Sequence, residues 1–406
     1  MRVLTVGNLY PPHHFGGYEQ VWKSAVGHLR ERGHEVRVLA TGYRHGGIAD
    51  GDEPDVYRTL RWYWASHEFA QVPLRERLQI ERHNHRELNR QLSELRPDVV
   101  SFWSMGGMSH SLIEAARRRK LPVVAFVHDQ WLDYGRATDQ WLRLFYPRRR
   151  RPLARLLQPL TRVPTRVNYG AAGRYVFVSE FIRRRALELP IALPDTAVAH
   201  SGIDPRFLHR SPDHEWRWRL LHVGRLHPDK GIFEAVAALR HMPPEATLSF
   251  AGSWNARDES KLADLVSQLG LQARVKMLGH LPPGEVAELY GQHDALLFPV
   301  RWDEPWGLVP LEAMASGCPV LATGRGGSAE YLCDEENCLL VRSGDVAALA
   351  AAARRLAGEP ELRGKLRAAG AETAARHTAP AFNTEVERHL TELAGRRPGG
   401  RSPTPR

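Results

Sequence analysis

Short apolar runs recur along this chain, each closed by glycine, proline or a polar residue and each followed by a longer stretch with helical spacing. The first, Val3-Leu4-Thr5-Val6, runs through a loop into a helix expected from about Gln20 to Arg32, and Val36-Arg37-Val38-Leu39 comes next. Runs this short and this rich in β-branched residues predict strands buried on both faces rather than helices. The alternation continues with a helix from about Leu74 to Leu95, a strand through Val99-Val100-Ser101-Phe102, a helix from about Leu112 to Arg119 and a strand through Val123-Val124-Ala125-Phe126-Val127. Tyr175-Val176-Phe177-Val178 is the last clear strand of this half, with a helix beginning near Ser179.

After Val198-Ala199-His200-Ser201-Gly202-Ile203-Asp204 the pattern restarts. Strands are expected at Leu220-Leu221-His222-Val223, Leu248-Ser249-Phe250-Ala251, Val275-Lys276-Met277-Leu278, Ala295-Leu296-Leu297-Phe298, Val320-Leu321-Ala322 and Leu339-Leu340-Val341. Helices are expected from about Ile232 to Leu239, Lys261 to Leu269, Glu285 to Gln292, Asp345 to Leu356, Pro360 to Arg376 and Ala381 to Ala394. Strand and helix in strict alternation predict parallel sheets joined by right-handed crossovers, an α/β protein. At 406 residues the chain is too long for one core, so two domains of similar size are expected, 1–200 and 201–380. A last helix over 381–395 is expected to cross back to the first domain. The tail 396–406, rich in Pro, Gly and Arg, is expected to be disordered.

Candidate chemistry concentrates between Asp294 and Glu330. Gly307 opens a helix in which Leu308, Leu311 and Ala315 share helical spacing, Pro310 sits early enough to cost no hydrogen bond, and Gly317 closes the turn. In a crossover unit such a helix start points free N–H groups beyond the carboxyl ends of the strands, where the Gly307, Leu308 and Val309 amides suit a phosphate. Glu304 precedes that spot and Glu312 lies about one turn inside the helix, roughly 6 Å along. Carboxylates so placed suit hydroxyl groups at the two ends of a nucleoside diphosphate sugar. Upstream, Leu220 to Val223 delivers Arg225 to the strand end and Lys230 stands just before the next helix, two cations able to neutralise a diphosphate.

The first half offers less. The loop after Val6 holds the pair Gly16-Gly17 at a helix start but lacks three spaced glycines, so it is not the dinucleotide fingerprint. His128 ends a strand, where it either faces a ligand crevice or bonds a loop carbonyl. Asp50-Gly51-Asp52 superficially matches a metal-binding acidic pair but reads as a surface turn among Glu53, Pro54 and Asp55. Arg61-Trp62-Tyr63-Trp64 is an aromatic cluster for which core packing is the plainer use.

The run Glu304-Pro-Trp-Gly-Leu-Val-Pro-Leu-Glu312-Ala-Met-Ala-Ser-Gly-Cys-Pro-Val resembles the signature of retaining GT-B glycosyltransferases of family GT4. The resemblance implies two Rossmann-like doubly wound domains facing across a cleft. It implies that Glu304 contacts sugar hydroxyls, that the Gly307, Leu308 and Val309 amides hold the diphosphate and that Glu312 takes the ribose diol. It assigns Arg225 and Lys230 to the leaving group, Gly16 and Gly17 to the far side of the diphosphate, and His128 to positioning the sugar. It also implies transfer of a hexose-type sugar with retention, without metal or other cofactor, by departure and attack on one face. The linker before Gly202 carries Ser201 where the family usually has asparagine.

Composition narrows the rest. A net charge of +10 and a pI near 9.8 favour anionic ligands, but no nucleic-acid motif appears, so nucleic acid is not expected as a partner. Arg148-Arg149-Arg150-Arg151 lies in a stretch from Arg136 to Arg166 with almost no acid, a face for an anionic acceptor, for lipid heads at a membrane surface, or only for water. Cys318, Cys333 and Cys338 lack metal-ligand spacing, and no apolar run is long enough to span a bilayer, so a cytoplasmic location is expected. The partners expected are a nucleotide-sugar donor and a small-molecule, glycan or lipid-linked acceptor. A sugar-nucleotide epimerase or hydrolase on the same fold, and a non-catalytic membrane-surface binding protein, are the alternatives.

Overall fold

The computed structural model describes residues 1–14, 16–44, 49, 51, 53–65, 68–69, 71–209 and 214–395, without the side chains of 65, 68, 69, 148, 151 and 153. Asp50 and Asp52 of the acidic turn and the tail from Arg396 lie outside the described residues. Contacts divide the chain into two compact units, Met1–His200 with the chain from Pro380 on, and Ser201–Ala379.

The first unit is built on seven parallel strands: β1 (Arg2–Val6), β2 (Glu35–Thr41), β3 (Val56–Leu60), β4 (Val99–Phe102), β5 (Val123–Val127), β6 (Arg174–Phe177) and β7 (Thr196–Val198). They lie in the order β3-β2-β1-β4-β5-β6-β7. Val3 of β1 is in register with Val36 on one side and Val99 on the other. Every residue of β4, β5 and β6 is buried, which is why these strands read as largely apolar runs, interrupted only by Ser101 in β4 and the ion-paired Arg174 at the start of β6. The helix Ala379–Gly395 belongs to this unit from Pro380 onward. It buries Phe382, Val386 and Leu390, and Glu387 on it accepts from His28 and His34, both at 2.9 Å.

The second unit repeats the plan with six strands: β8 (Arg219–Val223), β9 (Thr247–Ala251), β10 (Val275–Gly279), β11 (Ala295–Phe298), β12 (Val320–Ala322) and β13 (Leu339–Leu340). The order is β10-β9-β8-β11-β12-β13, all parallel, with Leu220 in register with Leu248 and Ala295. Its core gathers Leu220, Leu248, Phe250 and Leu297 from the strands with Val236, Leu239, Leu262, Leu349 and Leu356 from the helices.

Some elements differ from the sequence reading. The helix expected from Lys261 starts at Ala256, because the Asn255 side chain accepts from the Asp258 amide at 2.9 Å and caps it, with Asp258 and Glu259 in its first turn. β3, β7 and the helix Trp131–Thr138 were not expected. β3 and β7 have half-buried residues that break the apolar pattern, and the helix contains Gly135 and ends in a threonine.

In both sheets the strand order reverses beside the first strand, at β1/β4 and at β8/β11. Loops leaving neighbouring strands there diverge to opposite faces and open a crevice at the carboxyl ends.

Candidate active site

The β8/β11 crevice of the second unit gathers most of the residues singled out from sequence. Arg225 leaves β8 exposed, and among the described residues it has no hydrogen-bond or ion-pair partner. Five residues on, a single 3-10 turn, Pro228–Lys230, ends at Gly231 with φ +73°, where an added Cβ would lie 2.0 Å from the Pro299 carbonyl oxygen. Only glycine fits there, and it brings the turn carrying Lys230 against the loop that leaves β11.

Lys230 Nζ donates to Glu304 Oε2 at 2.7 Å and Oε1 at 3.0 Å. Trp302 Nε1 also donates to Glu304 Oε2, at 2.6 Å, and the ammonium sits 4.7 Å from the centre of the Trp302 ring. Glu304 is 9% exposed. A carboxylate held by an indole N–H and by an ammonium that is itself seated on a ring has one orientation, and a hydrogen bond to it is strong because water is largely excluded. The sequence reading gave Lys230 to the diphosphate and Glu304 to the sugar as separate contacts, and the structure joins them as one pair.

The Glu304 backbone is fixed as well. Its carbonyl accepts from the Gly327 amide at 2.6 Å, and Arg325 bonds Asp303 at 2.9 Å, fastening the loop to the turn after β12. Gly307 adopts φ +86°, and a Cβ there would lie 3.1 Å from Glu304 Cγ and 3.3 Å from the Tyr331 hydroxyl oxygen. The Tyr331 hydroxyl donates to the Gly307 carbonyl. From this anchored glycine the helix Leu308–Ala315 departs. No described residue accepts from the Gly307, Leu308 or Val309 amides, so the positive end of the helix is open to an anion.

Glu312 stands further along that helix, half-buried, with Oε2 accepting from the Tyr290 hydroxyl at 3.1 Å. Burial pushes its carboxyl up to about 7, only partly offset by the tyrosine bond, and Asp204 adds to the rise. A carboxyl poised there gains from hydroxyl donors, such as a vicinal diol, that favour its ionised form.

The remaining predicted residues, Gly16, Gly17 and His128, belong to the first unit. Gly17 starts the helix Gly17–Glu31 and Gly16 is its N-cap. Gly16 has φ −160°, extended backbone open to any residue, and its N–H is taken by the Glu19 carboxylate at 3.1 Å. In this structure the Gly16 amide is thus engaged within its own turn. The spacing was a legible signal, since a glutamate three residues after an N-cap characteristically reaches back to its amide. His128 follows β5 within rings, 4.7 Å from Tyr18, 5.7 Å from Trp103 and 5.4 Å from Phe382 between centroids. Burial lowers its pKa to about 3, so the imidazole is neutral.

Sequence reasoning did not find a cavity of about 720 Å³ where the chain leaves β2 and β3, lined among others by Tyr43, Leu60, Arg61, Trp62, Arg75 and Ile80. The aromatic cluster divides here. Tyr63 is 2% exposed and donates to the buried Glu81 at 2.8 Å, as core packing predicts, whereas Trp62 lines the cavity with Tyr43 against it at 5.5 Å between ring centroids.

A parallel sheet ordered 3-2-1-4-5-6, with an anion-receptive helix start at its switch point, defines a Rossmann-like nucleotide-binding unit. Two doubly wound sheets in one chain are the arrangement of the GT-B class. The comparisons agree. The family described as Glycosyl transferases group 1 matches residues 207–373, and Glycosyltransferase Family 4 matches residues 15–207. Glycogen synthase of Mycobacterium tuberculosis is 34% identical over 174 residues, and the aligned part spans 41% of this chain and 41% of that enzyme, less than half its length. Sucrose-phosphate synthase of Thermosynechococcus elongatus has the same fold, with TM-score 0.72 at 19% identity over 97% of this chain and 99% of that one. Anabaena Alr3699/HepE, solved in complex with UDP-glucose, gives TM-score 0.69 at 19% identity over 97% of this chain and 100% of that one. The chain belongs to the family 4 glycosyltransferases with the GT-B fold.

Proposed function

We propose that the protein transfers a hexose-type sugar from a nucleoside diphosphate donor to an acceptor hydroxyl, with retention at the anomeric carbon and with no metal in the reaction. The observation that carries this reading is the grouping at the β8/β11 switch point. There Lys230 and Trp302 grip Glu304 directly before the bare Gly307 to Val309 amides, with Glu312 further along the same helix. Alr3699/HepE, of the same fold, was solved with UDP-glucose, which supports a nucleotide-sugar donor.

In this reading the amides and Arg225 receive the diphosphate, Glu312 receives the ribose diol, and Glu304 accepts hydrogen bonds from sugar hydroxyls. The bond from the anomeric carbon to the β-phosphate oxygen breaks while the acceptor oxygen bonds the same face of that carbon. The departing phosphate oxygen takes the acceptor's proton. Negative charge growing on it is met by Arg225, by Lys230 and by the helix dipole, of which the dipole is fixed beforehand and needs little reorganisation. Glu304 is not assigned as a nucleophile, since Lys230 and Trp302 already engage both its oxygens. His128 keeps the sugar-positioning role, and being neutral it is not assigned a proton transfer. The acceptor is assigned to the cavity of Tyr43, Trp62, Arg61 and Arg75.

The test is a thermal-shift screen over UDP-, GDP-, ADP- and dTDP-sugars with the wild type and Arg225→Ala. A donor at one hundred times its dissociation constant adds about 2.7 kcal/mol of stability. One nucleotide series is expected to raise the wild-type midpoint and to lose most of that shift in Arg225→Ala. No shift with any of them overturns the reading, and turnover of donor alone as fast as with acceptors turns it into a hydrolase or epimerase.

A further inference from the structure

We propose that the helix Arg151–Thr161 and the turns before it form a docking surface for an anionic lipid bilayer, on which the protein lies without inserting a span. This goes beyond the transfer reaction and does not depend on it. From Gln140 to Ser179 the chain holds nine arginines and no aspartate or glutamate. One of these, Arg174, is buried and paired with Asp195 and Glu392. Arg143, Arg149, Arg150, Arg155, Arg162 and Arg166 are exposed, and none has a carboxylate partner among the described residues.

The apolar residues make this more than a solvated basic face. Leu160 at 67% and Leu156 at 64% are the two most exposed large hydrophobic residues of the described chain, and they stand four apart on one helix. The helix does not need them for its own packing. Its inner side already buries Ala154 and half-buries Leu157 against Trp141, Leu142, Phe145 and Val163. Tyr146, 45% exposed, stands just before the helix with Arg136 beside its ring at 6.0 Å.

Leucines pointing to water, bordered by a tyrosine and by arginines without a described carboxylate partner, match the chemistry of a headgroup layer. The cations meet lipid phosphates while the leucines and the ring enter the acyl boundary. Nucleic acid would use the arginines but give the leucines nothing. A protein partner would need a matching acidic plane around an apolar pocket, whereas a bilayer of anionic lipid supplies both over any area. No helix among the described residues is long and apolar enough to cross a membrane, so the contact lies at the surface.

The test is sedimentation of the full chain with phosphatidylcholine vesicles, with and without phosphatidylglycerol. The wild type is expected to pellet only with the anionic vesicles. Leu156→Ser with Leu160→Ser, and separately Arg149→Glu with Arg155→Glu, are each expected to lower the partition coefficient at least ~tenfold. Arg240→Glu with Arg257→Glu, the same change of net charge on the other unit, is expected to leave it within ~twofold. The proposal fails if the wild type stays in the supernatant, if the leucine pair is indifferent, or if the control loses as much. It fails equally if sedimentation velocity shows the leucine change dissolving a dimer while vesicle binding persists, since a second copy then covers the face.

Discussion

If Glu312 receives the ribose diol as proposed, donor binding is a pH-dependent equilibrium whose direction follows from the surroundings of its carboxyl. Its carboxyl titrates at about 7 because burial disfavours the charge, with Asp204 adding to the rise and the Tyr290 hydroxyl opposing it. Ribose hydroxyls donating to the carboxylate favour the ionised form, so the bound state carries a lower pKa than the free one and binding releases a proton below pH 7. With a free value near 7, the carboxyl is about nine-tenths ionised at pH 8 and one-tenth at pH 6. The dissociation constant should therefore rise roughly tenfold between them, about 1.4 kcal/mol. The assay is isothermal titration with the nucleotide sugar selected by the thermal-shift screen, in two buffers of different ionisation enthalpy so that proton release is read directly. A nucleotide sugar serves better than the free diphosphate, whose terminal phosphate titrates in the same range. Glu312→Gln should bind weakly and almost evenly across the range. Affinity that is flat in the wild type, that improves as pH falls, or that varies as much in Glu312→Gln would refute the assignment.

Three other consequences can be measured separately. Lys230→Met leaves Glu304 with Trp302 as its only described side-chain donor and removes a cation from the leaving group; kcat should fall on the order of hundredfold or more, and a loss under threefold in steady-state assays would sink the role. Gly307→Ala places a side chain at φ +86° and 3.1 Å from Glu304 Cγ. Urea denaturation should show a loss of roughly 1–3 kcal/mol with donor affinity falling alongside, and unchanged values would remove the case for an anchored helix start. Glu81 is fully buried and burial raises its pKa to about 8, so its contribution to stability is complete below the usual carboxyl range and is lost as pH rises toward that value. Glu81→Gln should therefore gain on the wild type by roughly 1 kcal/mol per pH unit between pH 5 and 8, and a difference independent of pH would contradict the shift.

Much of the fold was readable because both sheets are parallel and covered on both faces. Ala295-Leu296-Leu297-Phe298 is buried at every position, and such runs have little meaning except as central strands. The edges were harder. β3 mixes Tyr57, Arg58 and Thr59 at half-buried positions, so although Val56, Tyr57 and Thr59 favour strands it lacks the apolar run that marks the central ones. The site followed the same division. The proposed roles of Gly307, Leu308, Val309 and Glu312 depend on where the backbone puts them, and a strand, a glycine and a helix in sequence fix that placement locally. Lys230 and Glu304 lie 74 residues apart, and their bond depends on β8 and β11 being neighbours, a fact of topology that neither segment carries alone. The cavity is harder still, assembled from the ends of β2 and β3 and the start of the helix Leu74–Leu95.

The pairing of Lys230 with Glu304 redistributes charge in a way the separate motifs did not suggest. The two side chains largely cancel at long range, so the field offered to an arriving diphosphate comes from Arg225, without a partner among the described residues, and from the open amides of the helix Leu308–Ala315. In the proposed reaction Lys230 acts at short range, where a phosphate oxygen gaining charge competes with Glu304 for the ammonium. An acidic group that yields part of its cation as the leaving group becomes more negative favours the later state over the earlier one, which is the condition for raising a rate rather than an affinity. Removing Arg225 should therefore be felt mainly in binding and removing Lys230 mainly in turnover, though both side chains carry the same charge and stand five residues apart.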